Sequence, residues 1–130
     1  MQKPDLRNND MMRHLIDALD AGTDIGHYGR LTFAMVARHF MTPDELVAEL
    51  TKDRDFTEDQ ARVMVQQVID ADYSPPRAER IREWQQEQPF PIIPSDDPDA
   101  ANLYRDLKFP DRVYEKIEDY REAKMHAAAS

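Results

Sequence analysis

Five residues of this chain, Gly26-His27-Tyr28-Gly29-Arg30, combine types and spacing that could bind an anion. They precede the apolar run from Leu31 to Phe40, so they open a helix. The first turn of a helix leaves backbone N–H groups unpaired, and the aligned peptide dipoles favour negative charge there. Arg30 would hold a phosphate, with His27 or Tyr28 as a second donor. The competing structural reading is that His27 and Arg30 complete the polar side of an ordinary buried helix.

The elements that must position this segment are nearly all helical. Asn8-Asn9-Asp10 supplies cap-type residues before a helix whose Met12, Leu15, Ile16 and Leu19 form one stripe, and Gly22 ends it. The helix from Tyr28 to Phe40 carries few polar residues and is expected to be the central, most buried one. Thr42-Pro43-Asp44-Glu45 reads as a cap, a proline at the first helical position and an acidic first turn. Thr57-Glu58-Asp59-Gln60 is a capping box opening a helix to Ala71, with Ala61, Met64, Val65 and Val68 facing inward.

The texture then changes. Tyr73-Ser74-Pro75-Pro76 is an extended turn, because each proline restrains the residue before it. A short helix from Arg77 to Gln86 places Ile81 and Trp84 on one face. Pro89-Phe90-Pro91-Ile92-Ile93-Pro94 cannot be helical and reads as a polyproline-like strand anchored by Phe90, Ile92 and Ile93. Ser95 to Asp99 forms a turn before a helix from Ala100 to Leu107, and Phe109-Pro110-Asp111 starts a last helix packed through Val113, Tyr114, Ile117 and Tyr120. The expected fold is all-α: one domain over residues 1–126, of about six helices with a proline-rich extended segment, and a frayed tail at 127–130.

Composition narrows the chemistry. The 130 residues suit a single domain with a real core, and no apolar run approaches the ~20 residues of a membrane helix. Residues Met1 to Asp5 lack the apolar core of a secretion signal, so a cytoplasmic protein is expected. The absence of cysteine excludes disulfides, thiolate metal sites and a cysteine nucleophile. A net charge of -9 counts against a simple nucleic-acid binder, whose affinity comes from Lys and Arg displacing counterions. Arg77, Arg80 and Arg82 do cluster, but Glu79 and Glu83 interleave them, which favours a solvated, ion-paired helix face.

Signals for catalysis or metals are poor. His14, His27, His39 and His126 form no helical metal-ligand pair, and Asp96-Asp97-Pro98-Asp99 lacks calcium-loop spacing. No phosphate loop or nucleophile elbow occurs. No cofactor and no metal are expected, and an enzyme using a His27–Arg30 pocket would need a general base that the sequence does not name.

Four segments in order resemble the C-terminal helical domain of archaeal and eukaryotic DNA primase large subunits. They are the helix Met11 to Leu19, the segment Gly26 to Phe33 with its His-x-x-Arg, Asp55-Phe56 leading into the helix from Gln60 to Ile69, and the turn Tyr73 to Pro76. The likeness spans roughly residues 6 to 95. It implies that His27 and Arg30 contact the phosphates of a template–primer junction or its 5′-triphosphate, with Tyr28 on a sugar or base. That family holds a [4Fe–4S] cluster through four cysteines. Here the corresponding positions fall at Met11 and near Ala78, Ile93 and Ala101, so no cluster can form in that way. Apolar packing of Met11, Ile93 and their neighbours would take over its role as a staple.

Two functions follow as expectations. One is a non-catalytic module binding nucleic acid or a nucleotide phosphate through His27, Tyr28 and Arg30, flanked by Arg77 and Arg80. The other is an acidic helical interaction subunit or adaptor for a protein partner, supported by the charge and by the aromatic series Tyr104, Phe109, Tyr114 and Tyr120. The competing reading, and the favoured one, is that those aromatics pack the last helix onto the core.

Overall fold

A computed structural model of the chain describes residues 3–94 and 101–117. Among these residues every regular element is helical, in a single all-α domain. The helices are α1 (Lys3–Leu6), α2 (Asp10–Asp20), α3 (Gly26–Ala37), α4 (Pro43–Leu50), α5 (Glu58–Ala71), α6 (Ala78–Gln85) and α7 (Leu103–Asp106). A further helix, α8, runs through 111–117.

Helix ends follow the chemistry of their caps. Asn9 accepts the Met12 N–H at 3.0 Å to start α2, and its amide donates to Asp106 at 2.9 Å, tying that start to α7. At the other end Gly22 has φ 73, its N–H reaches Leu19 O and the Thr23 N–H reaches Ala18 O. This pair of bonds is a Schellman closure, which needs a left-handed residue at that position. Thr42 with Glu45, and Thr57 with Gln60, form the two reciprocal capping boxes expected at α4 and α5.

Helix α3 is the hub. It packs against α2, α4, α5 and α6, and eight of its twelve residues are buried. It starts two residues before the expected Tyr28 and stops three before Phe40. The early stop has a local cause: His39 and Phe40 donate back to Val36 and Ala37, a tightened turn that delivers the chain to the α4 cap. Helix α7 is likewise shorter than the expected Ala100–Leu107, because Asn102 accepts the Arg105 N–H and caps the helix there. The turn expected at Ser95 to Asp99, Tyr120 and the tail at 127–130 lie outside the described residues.

The proline segment is clipped down rather than paired as a strand. The Gln88 amide donates to Ile25 O at 2.8 Å and Phe90 O at 3.1 Å, and Ile93 N–H reaches Gln85 at 2.6 Å. His14 bonds Pro91 O and stacks on Phe90 with ring centroids 5.2 Å apart. Ile92 and Ile93 enter the core. Met11, Ile93 and Ala101 are buried in that core and Ala78 packs against it. Met11, at one of the positions the resemblance gives to a cluster cysteine, and Ala78, Ile93 and Ala101, near the other three, thus serve apolar packing. The aromatic series also turns inward: Phe109 is buried, and the Tyr104 hydroxyl donates to Pro75 O at 2.6 Å. Burial pushes the Tyr104 hydroxyl up to about 12. Tyr114 stays partly exposed, and its hydroxyl oxygen accepts the Phe109 N–H at 3.0 Å.

Candidate functional site

The start of α3 holds an anion, and the anion is the protein's own. Asp53 reaches in from the loop after α4 and accepts the Ile25 N–H at 2.9 Å and Arg30 Nη1 at 3.0 Å. Its other oxygen accepts the Asp55 N–H at 2.8 Å. Asp24 accepts the Gly26 N–H at 2.9 Å and also pairs with Arg30 at 3.2 Å. Gln88 accepts the Tyr28 N–H at 2.9 Å. The N–H groups of Ile25, Gly26 and Tyr28 and the Arg30 guanidinium are therefore engaged by two carboxylates and one amide.

Arg30 is committed in the same way. Its side chain is 10% exposed, the Asp53 side chain 0%, and the guanidinium lies 4.4 Å from the centroid of the Phe56 ring. Breaking a buried pair of this kind strands a charge in low dielectric, a large penalty for any competing ligand to overcome. Gly26 fits the closure: its φ of 78 suits glycine, and a Cβ there would come within 2.5 Å of the Gln88 side chain.

The other expected residues sit elsewhere. His27 is exposed and lines a groove between α3, α5 and α6, together with Arg77 and Arg80. Tyr28 packs behind it, stacked on Trp84 with ring centroids 5.6 Å apart and planes at 15°. So His27, Arg77 and Arg80 come together, Tyr28 supports their wall, and Arg30 serves the buried pair.

The groove follows from helical periodicity. His27, Leu31 and Met35 form one stripe of α3, and Met64, Val68 and Ala71 face them from α5. Trp84 closes the third side from α6. The volume of this open groove is about 1030 Å³. Its rim is mixed: Asp70, Glu79 and Glu83 carry negative charge, Arg77 and Arg80 positive. Arg80 approaches Glu83 at 3.8 Å.

Among the described residues no cluster of three or more His, Asp or Glu is placed to hold a metal ion, and no helix is long and apolar enough to cross a membrane. Compared with protein-family models, with curated proteins and with solved structures, the chain finds no match. The primase likeness accordingly stands on its four sequence motifs.

Sequence reasoning missed Asp53, Asp24 and Gln88. Asp53 lies in Lys52-Asp53-Arg54-Asp55, a run that reads as solvated charge, and it is 23 residues from Arg30. The one available signal was Asp24, two residues before Gly26, where an Asx side chain commonly accepts a following N–H.

Proposed function

We propose that the protein is a non-catalytic docking module whose groove between α3, α5 and α6 receives a basic amphipathic helix of a protein partner. The lining carries this reading: an apolar floor of Leu31, Met35, Met64 and Val68, bordered by Trp84, under a rim with more carboxylates than guanidiniums. Two methionines give such a floor adaptable shape, and a helix buries its apolar stripe in a trough of this kind. At about 1030 Å³ the space exceeds most metabolite pockets. The net charge of -9 selects basic flanks on the incoming helix. Phosphate binding at the start of α3 is less well supported, because Arg30 and the N–H groups of Ile25, Gly26 and Tyr28 already have partners.

Trp84 is the single tryptophan and reports on the groove directly. Titration with a Leu/Lys amphipathic model helix is expected to shift its emission with micromolar affinity. Ala71→Arg, which puts bulk and positive charge at an exposed position of the lining, is expected to abolish the response. Equal binding by both proteins, or none, rejects the reading. A primed template with a 5′-triphosphate that binds in a salt-dependent manner, and is released by Arg77→Ala with Arg80→Ala, replaces it with the nucleic-acid reading.

A further inference from the structure

A second pocket lies where α3 and α5 end, beside residues of α8. Asp72, the last residue capping α5, is left-handed at φ 50 and carries a carboxylate 48% exposed. Three cations converge on it. Arg38, which caps the end of α3, approaches at 2.8 Å; Arg112 and Lys116, one turn apart on α8, approach at 3.1 and 3.5 Å. Lys116 also donates to the Asp72 carbonyl oxygen.

One carboxylate cannot neutralise three cations. Arg38 is the natural partner, since its side chain is 7% exposed and also donates to Tyr73 O at 2.8 Å. Arg112 and Lys116 are half-exposed and bring surplus charge. They border a pocket of about 310 Å³ that Ser74 and Glu115 complete. Even counting Glu115, its lining holds three cations against two carboxylates among the described residues, in a protein whose net charge is -9. The local surplus extends inward: His39 is lowered to about 4, first by burial and then by Arg38 and Arg112, with only Asp72 opposing.

We propose that this pocket binds a phosphoryl group, held by Arg112 and Lys116 with the Ser74 hydroxyl as a third donor. The volume is at the small end of ligand sites, which fits inorganic phosphate or the phosphate of a small metabolite. Guanidinium and ammonium groups on phosphate oxygens make the stronger, charge-assisted class of hydrogen bond. The site is independent of the groove and of the reading given for it.

Calorimetric titration with inorganic phosphate and, separately, glycerol phosphate distinguishes the two sources of the group. Millimolar or tighter binding of either is expected, weakened about tenfold or more by Arg112→Ala or Lys116→Ala, each loss equal to one charge-assisted contact. Both positions are exposed, so the variants should fold, and circular dichroism checks that they do. Bound phosphate should also raise the His39 pKa seen by NMR, because it offsets Arg38 and Arg112. Absence of binding by both ligands, or binding indifferent to the two variants, overturns the proposal. Binding that leaves His39 unmoved places the ligand elsewhere and overturns it as well.

Discussion

The two ends of α3 carry charge clusters of opposite make-up. Near its start one cation, Arg30, faces two carboxylates, and the shared contact with Asp53 is shut away from water. At its close one carboxylate, Asp72, faces three cations and remains half-exposed. Burial explains the contrast. A charge in low dielectric must be matched and hydrogen-bonded within the fold, which leaves little for a ligand. Arg112 and Lys116 lie under solvent, where water screens a surplus of like charge, while the buried Arg38 keeps Asp72 and Tyr73 O as partners. Basic and acidic side chains thus build a structural clamp at one end and an open receptor at the other.

The sharpest way to break this contrast is to remove the closed carboxylate. Asp53→Ala strands Arg30 and leaves the Ile25 N–H without its acceptor, so a loss of about 3–5 kcal/mol is expected in urea unfolding. Arg30→Ala should cost a similar amount, and the double variant less than the sum, since the two act as a unit. A loss under about 1 kcal/mol would show that water reaches the pair, and the distinction between the two ends would collapse.

Gly26→Ala tests the same closure from the backbone. The new methyl meets both an unfavourable φ of 78 and the Gln88 side chain, for a cost of about 1–3 kcal/mol. Adding Gln88→Ala should relieve the contact while leaving the backbone penalty. Because Gln88→Ala also removes the bonds to Tyr28 N–H, Ile25 O and Phe90 O, it should cost less in the Gly26→Ala background than in the wild type; an equal cost in both would show that the new methyl does not meet Gln88.

Local signals made most of the fold legible and little of the site. Capping boxes at Thr42 and Thr57 and the glycine closure at Gly22 are written within a few residues, so those helix ends were readable. The all-α class and the central place of α3 followed from the period and from the scarcity of polar side chains between Leu31 and Phe40. The anion-binding chemistry at Gly26 was also readable, but its occupant was not. Asp53 comes from 23 residues away, and nothing in a charged run distinguishes the one member that will be buried. The cluster on Asp72 is harder still, because Arg38, Asp72 and Arg112 are separated by 34 and 40 residues. Sequence supplies donor types; only packing decides which of them meet.

Acid sharpens the comparison at the open end. His39 has its pKa lowered from 6.5 to about 4 by burial and by Arg38 and Arg112, so the folded state resists a proton that the unfolded chain accepts. Stability should be constant above pH 6.5 and fall as pH drops from there to about 4, then level off with respect to this group. In His39→Phe that part of the decline should be absent in unfolding curves taken across the range. An unchanged profile would assign the decline to other groups.

The smallest expected effect on stability comes from the substitution that mirrors Asp53→Ala. Asn at position 72 keeps the left-handed cap, since asparagine tolerates that conformation, and Arg38 keeps its bond to Tyr73 O. The loss should therefore stay near 1 kcal/mol or below, the range of exposed ion pairs. Its pH dependence has a defined sign. The Asp72 carboxyl is held down at about 2, first by its hydrogen bond from Arg38, then by Lys116 and the two guanidinium charges, so its contribution is present above pH 3.8 and lost as pH falls to about 2. Asp72→Asn should remove that acid limb and lower His39 further, because Asp72 is the one group raising it. It should also tighten phosphate binding, by freeing three cations from the carboxylate they share. A variant that is several kcal/mol less stable would mean that Asp72 is a clamp like Asp53, with its cations spent on the fold.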